Sequence, residues 1–212
     1  MDTSASGSLA IVGICGSLRR GSYNRALLRA ARKAAPSSMM IEIIEIGSLP
    51  FFNADIEVDG DPPEVAAFKR HIETSDGVLI STPEYNDGIP GVLTNAIDWA
   101  SRLPGRSALT LKPVALMGAS LSQVGTARAQ LHLRQILTHV NARTLPPPEL
   151  LIANAQTKFN AELELIDPGA STILALLLQR FERWILRERA AQEAEAGFQP
   201  VGVIKERKKG AA

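Results

Sequence analysis

Apolar positions along this chain fall into two alternating patterns. Leu9–Cys15 is an unbroken apolar run, as expected of a central parallel strand. From Arg25 to Ala35 the spacing turns helical, with Leu27, Ala30, Ala31 and Ala34 on one face, and Pro36 ends it. Met40–Ile46 alternates isoleucine with glutamate and predicts a strand with one wetter face. A loop with Pro50, Phe51 and Phe52 follows, and the acidic stretch Asp55–Asp61 reads as exposed. Pro62-Pro63-Glu64 opens a second helix that faces inward through Val65, Phe68 and Ile72. Gly77–Ser81 is a short buried strand, and Pro90–Leu103 a helix with Leu93, Ala96, Ile97 and Ala100 aligned. Pro113–Met117 predicts a fourth strand, and Gly125–Val140 a helix with Leu133, Ile136, Leu137 and Val140 in register. Arg143–Ile152 reads as a fifth strand, and its run Pro146-Pro147-Pro148 confines it to an edge or bulge. Asp167 caps the last helix and Pro168 starts it, with Ile173, Leu176, Leu177, Phe181, Trp184 and Ile185 as the buried stripe.

Five strands alternating with five helices predict an α/β fold, a doubly wound parallel sheet with right-handed crossovers. Such sheets take ligands beyond the carboxyl ends of their strands, where the strand order reverses. The loops after the first, third and fourth strands are therefore the informative ones.

Composition narrows the class. With 212 residues, 45% of them hydrophobic and 21% charged, one globular domain is expected over residues 9–195. Residues 1–8 read as a flexible lead-in and 196–212 as a tail ending in Lys205-Glu206-Arg207-Lys208-Lys209, whose charges read as solvated. A net charge of +1 argues against nucleic acid or a charged membrane surface as partner. No apolar run approaches a membrane span, and no secretory signal opens the chain. The single Cys15 suits a reducing, cytoplasmic compartment and reads as a buried small hydrophobe.

The first informative loop is Gly16–Asn24. Hydroxyls, an arginine and a glycine lead from a strand into a helix N-terminus, the layout of an anion site. Neither Gly-x-Gly-x-x-Gly nor Gly-Lys-Ser/Thr is present. Ser17, Arg19, Ser22 and Asn24, helped by the N–H groups of Tyr23 and Asn24, suit a terminal phosphate monoester. The competing reading is that Ser22 or Asn24 only caps the helix.

The second loop, Ser81–Gly91, predicts free N–H groups on Glu84, Tyr85 and Asn86 after Pro83, a row of donors for a flat heterocycle. An ordinary Asn-Asp-Gly turn is the alternative. The third loop, Gly118–Arg128, is built of small residues that let a planar ring lie close to the backbone. His71, His132 and His139 fall on helices and read as surface residues.

Together, Gly16-Ser17-Leu18-Arg19, Ser22-Tyr23-Asn24, Thr82-Pro83-Glu84-Tyr85-Asn86, Ile89-Pro90-Gly91-Val92-Leu93 and Asn95-Ala96-Ile97-Asp98-Trp99 resemble the NAD(P)H-dependent FMN reductase family, which includes quinone, chromate and azo-dye reductases. Lys112-Pro113-Val114, Gly125-Thr126-Ala127-Arg128 and Leu133–Leu137 extend the resemblance, which runs from about Leu9 to Trp184. It implies a flavodoxin-like fold of strand order 2-1-3-4-5 that binds FMN non-covalently. Ser17, Arg19, Ser22, Tyr23 and Asn24 would hold the phosphate. Pro83, Glu84, Tyr85 and Asn86 would line the isoalloxazine, mainly through backbone atoms, with Ser120 near the ring. Ser122 and Gln123 depart from the glycine often found in relatives, which concerns the far side of the ring.

The implied reaction is ping-pong hydride transfer from NAD(P)H through FMN to a quinone-like or other small acceptor, with no side chain required as general acid or base. A flavodoxin-like electron carrier and a flavin-binding regulatory protein are the alternatives. The near-neutral charge and the arginine in the loop argue against the first, and the basic tail is the support for the second. The resemblance further implies a homodimer or homotetramer. The helix Pro90–Leu103 is a candidate interface element, with Trp99 either exposed there or buried in the core. Arg102 and Arg106 are basic residues that could receive a 2′-phosphate.

Overall fold

A computed structural model describes residues 8–102 and 107–196. The N-terminal lead-in, Leu103, Arg106 and the basic tail lie outside these residues. The elements are β1 (Leu9–Cys15), α1 (Tyr23–Ala34), β2 (Met39–Ile44), α2 (Ala54–Glu57), α3 (Pro63–Thr74), β3 (Gly77–Ser81), α4 (Gly91–Ala100), β4 (Pro113–Ala119), α5 (Ala127–His139), β5 (Arg143–Thr144), β6 (Leu150–Ile152) and α6 (Pro168–Ala196).

The sheet is parallel, in the order β2-β1-β3-β4-β5, and β6 also pairs with β4. The expected fifth strand is thus two short ones along the same edge. Arg143 and Thr144 pair with Pro113 and Val114, while Leu150–Ile152 pair with Met117–Ala119. Three consecutive prolines have no N–H to give to β4, so the chain leaves the ladder between them.

Two apolar layers cover the sheet. One joins α1 and α6 to Ile11, Leu79, Ala115 and Met117. The other joins α3, α4 and α5 to Val12, Ile14, Ile80 and Leu116. The inward faces expected for α3 (Val65, Phe68, Ile72) and α4 (Leu93, Ala96, Ile97, Ala100) are buried. On α1 the buried set is Asn24, Ala26, Leu27, Leu28 and Ala31, and Ala34 is exposed.

The stripe expected for α6 holds at Leu177, Phe181 and Ile185, leaves Trp184 half-buried and fails in the first turns. Leu174, Leu177, Leu178, Phe181 and Ile185 are buried, whereas Ile173 and Leu176 are 41% and 42% exposed. In the leucine-rich first turns apolar residues occupy both of two neighbouring frames, and the one with Leu174 and Leu178 is buried. Farther along, a Cβ on Gly77 would sit 2.8 Å from the Phe181 ring and 3.1 Å from Ile185, so the bare glycine makes room for the helix.

Trp99 is fully buried, so it presents no surface for a partner. Its Nε1 donates to the Pro50 carbonyl at 2.8 Å, and Asn95 holds the same loop through Phe52 N and Pro50 O. The acidic stretch after Phe52 contains the one-turn helix α2, started by Asn53 accepting from Asp55 N. Arg102 closes on it, bidentate to Glu57 and stacked over Phe52 at 5.0 Å. That leaves Arg102 committed and not available to a 2′-phosphate.

Candidate functional site

β1, β3 and β4 end side by side, and the three loops that leave them meet in one cleft. Its wall takes Ser17, Arg19, Ser22, Tyr23 and Asn24 from the first loop, Pro83, Glu84 and Tyr85 from the second, and Ala119, Ser120 and Leu121 from the third. Nine of the ten residues expected at the site are therefore neighbours, and Asn86 stands outside the wall. The cleft is small, about 190 Å³. A larger hollow of about 420 Å³ lies between α1 and Glu162–Ile166, away from the carboxyl ends of the strands. Lys33 and Glu164, paired at 3.1 Å, are among the charged residues that line it.

The first loop can accept an anion. Ser22 is the N-cap of α1, its Oγ accepting from Arg25 N at 3.3 Å. Ala26 N bonds the Ser22 carbonyl, so the N–H groups of Tyr23 and Asn24 are the first-turn donors left without a helical acceptor. The Arg19 guanidinium is exposed at the rim and touches only the Gly21 carbonyl, at 3.4 Å. Beneath the loop, Cys15 is buried with Sγ 3.4 Å from the Ser17 carbonyl. Burial pushes its thiol pKa up, so it stays neutral.

Asn24 differs from its sequence-based role. Its side chain is 97% buried by position and turned into the protein: Nδ2 donates to Ala119 O at 2.8 Å, while Oδ1 accepts from Ala119 N at 2.9 Å and Ser81 Oγ at 3.1 Å. What Asn24 offers the cleft is its backbone N–H.

The second loop is also corrected in part. Asn86 and Asp87 take φ of 50° and 59°, and Tyr85 and Gly88 exchange N–H···O bonds of 3.0 Å, a two-residue turn of the type that Asn-Asp tolerates. The Tyr85 N–H is thereby spent on the turn, and the N–H groups of Glu84 and Asn86 are the ones left. The Glu84 carboxylate is buried and faces away from the cleft. It accepts from Arg128 N at 2.9 Å and Ala129 N at 3.0 Å, capping α5, and pairs with Arg128 Nη1 at 3.3 Å.

Close backbone approach packs the strand ends behind the loops. A Cβ on Gly118 would collide with Thr126 Oγ1 and lie 2.5 Å from the Thr82 carbonyl, and one on Gly16 would lie 2.8 Å from Thr82 Oγ1. In the third loop, Ser120 Oγ and Ser122 Oγ are 3.2 Å apart and Ser122 bonds Gly125 O, so Ser122 braces the loop internally. Leu121 and Tyr85, 57% and 48% exposed, form an apolar lip. Sequence reasoning missed Ala119 and Leu121, which carry no chemical signature of their own. The three histidines are exposed on helices, His132 beside Gly88.

Sheet order, crevice position and orphan donors at a helix N-terminus define a flavodoxin-like α/β protein with a mononucleotide site. Comparison with known proteins is more specific. Residues 9–157 match the NADPH-dependent FMN reductase family, and the chain belongs to that family. It is 44% identical over 184 residues to an NAD(P)H-dependent FMN reductase of Pseudomonas aeruginosa, covering 87% of this chain and 99% of that one. It is 41% identical over 182 residues to a quinone reductase of Escherichia coli, covering 84% and 96%. Among solved structures it is similar to FerB, a flavoenzyme NAD(P)H:(acceptor) oxidoreductase from Paracoccus denitrificans, at a TM-score of 0.79 and 34% identity, covering 85% and 98%. The protein is thus an oxidoreductase that uses FMN with NAD(P)H as electron donor.

Proposed function

We propose that the cleft holds FMN with its phosphate against Ser17, Arg19, Ser22 and the N–H groups of Tyr23 and Asn24. Pro83, Glu84, Tyr85, Asn86 and Ser120 then lie along the ring. The observation that carries this reading is the pair of orphan N–H donors at the start of α1, beside two hydroxyls and a guanidinium that pairs with no carboxylate among the described residues. A dianion placed there satisfies donors that the fold leaves open and meets the positive end of the helix dipole. Bound FMN supplies two-electron acceptance and donation, so one cleft serves NAD(P)H and then a second substrate in turn.

The chain's own part is binding and exclusion. Gly118 and Gly16 let the ends of β1 and β4 close on Thr82 and Thr126, and the Glu84–Arg128 contact fixes the second loop. The Glu84 carboxylate is occupied by α5, and the reading assigns no acid or base to the wall. The apolar lip of Tyr85 and Leu121 suits a flat acceptor, and the likeness to a quinone reductase favours a quinone. Initial-rate plots with NADPH and a quinone are expected to give the parallel lines of ping-pong kinetics. Intersecting lines contradict the shared cleft.

Arg19→Ala tests the phosphate assignment. Loss of a charged hydrogen bond is expected to weaken FMN binding by about 1.5–3 kcal/mol, with folding unaffected because the guanidinium packs on nothing. Fluorescence titration of apoprotein with FMN reads it directly, and an unchanged affinity removes Arg19 from the site.

Self-association belongs to the same reading. The Pro50–Phe52 loop is pinned by Asn95 and Trp99, yet Phe51 and Val58 stand 84% and 83% exposed. Rigid exposed apolar groups of this kind favour a homodimer or homotetramer. The buried single Cys15 suits a cytoplasmic location.

A further inference from the structure

α6 carries a face that the fold does not use. Ile173, Leu176, Arg180, Arg183 and Arg187 succeed one another at intervals of three or four, a single stripe along the helix, and all are exposed. Trp184 borders the stripe, with Nε1 donating to Arg143 O at 2.9 Å and the Arg187 guanidinium 5.6 Å from its ring. Pro146 and Pro147 close the groove beside the three arginines. At 100° per residue, Glu182, Glu188, Glu193 and Glu195 project at other angles from the helix. Among the described residues none of the three arginines pairs with a carboxylate. A net charge of +1 over the whole chain conceals this local excess. The sequence after α6 adds Lys205, Arg207, Lys208 and Lys209.

We infer that the Ile173–Arg187 face of α6 docks on an anionic lipid surface. Cations alone would suit any polyanion, but here they follow two aliphatic side chains along one stripe and flank a tryptophan. Leu176 and Ile173 can enter the headgroup region, with the half-buried Trp184 at its edge, while the arginine stems lie along it with their charged ends in the phosphate layer. Clusters of basic residues on or beside such a helix draw a protein to anionic headgroups. A second copy is the poorer occupant, because two-fold pairing of this face would bring six arginines together with no carboxylate between them. The cleft lies at the carboxyl ends of the strands, away from this face, so docking leaves it open.

The test uses the full chain with its FMN, and it is independent of the reductase activity. Vesicles of phosphatidylcholine, with or without one third phosphatidylserine, are sedimented with the protein. Binding is expected to the phosphatidylserine vesicles only and to be lost in high salt. Trp184 emission should shift to the blue, since Trp99 is already buried. The variant R180Q/R183Q/R187Q should bind roughly a hundred-fold more weakly, at about five-fold per cation, and keep its rate of NADPH oxidation. No binding to phosphatidylserine vesicles, or equal binding by the triple variant, overturns the inference. So does binding that depends on residues 197–212 but not on the three arginines. A triple variant that changes in mass without any vesicle binding assigns the face to self-association, and displacement by duplex DNA without the Trp184 shift assigns it to nucleic acid; either outcome also overturns it.

Discussion

Asn24→Ala is expected to lower folding stability by about 3–5 kcal/mol and to release bound FMN. The side chain ties the first turn of α1 to the ends of two strands. Truncation leaves the N–H and carbonyl of Ala119 and the hydroxyl of Ser81 without partners in a site 3% exposed at Asn24. Each buried group stranded in this way costs about 1–3 kcal/mol, and Ser81 can recover part of its loss by rotation. The same contact sets the distance between the phosphate loop and the third loop, so the cleft loses its shape with its stability. Asn24→Asp is the sharper variant. It has the same outline, yet it turns the donor facing Ala119 O at 2.8 Å into an acceptor and adds a negative charge beside the phosphate site. Urea denaturation measures the first effect, and retention of yellow colour through gel filtration measures the second. A stability loss under about 1 kcal/mol in Asn24→Ala would mean that water replaces the amide.

The same residue shows how far the sequence could be read. Strands β1, β3 and β4 were legible as apolar runs, because a strand buried on both faces needs nothing else. The three loops were legible by position, since a doubly wound sheet puts its crevice at the carboxyl ends. Residue type suggested a phosphate site from Ser17 to Asn24. It could not show that the Asn24 amide spans to Ser81 and Ala119, because that contact depends on how three separate segments stack. Tyr85 is a parallel case: Pro83 promised free donors on Glu84, Tyr85 and Asn86, and the turn closed by Gly88 took one of them back. The frame of α6 was hidden for another reason. Leu177, Phe181 and Ile185 belong to both candidate stripes, and in the first turns apolar residues fill either one, so the pattern alone does not choose between them. The residues left over by that choice, Ile173 and Leu176, are the ones that join the arginines on the outer face.

Glu84→Ala carries the second large expectation, a loss of about 2–4 kcal/mol in stability together with weaker FMN binding. The carboxylate side chain is 7% exposed and holds three contacts: the N–H groups of Arg128 and Ala129 and the Arg128 guanidinium. Removing it strands two first-turn donors of α5 and leaves the Arg128–Asp87 pair as the remaining charged tie between the second loop and α5. Hydrogen bonds to a charged group are worth about 1.5–3 kcal/mol each, and water reaching the end of α5 returns part of that. Arg128→Ala should cost less, because Arg128 is half exposed and shares itself with Asp87 at 2.9 Å. Glu84→Gln should fall between wild type and Glu84→Ala, since one oxygen can still accept from the helix while the charge facing the dipole is gone. The double variant with Arg128→Ala should lose less than the two single losses added together, because both act through one contact. Thermal melting and FMN titration of these four proteins give the cycle. If Glu84→Ala melts and binds FMN like wild type, the carboxylate is not what fixes Pro83–Asp87 at the cleft.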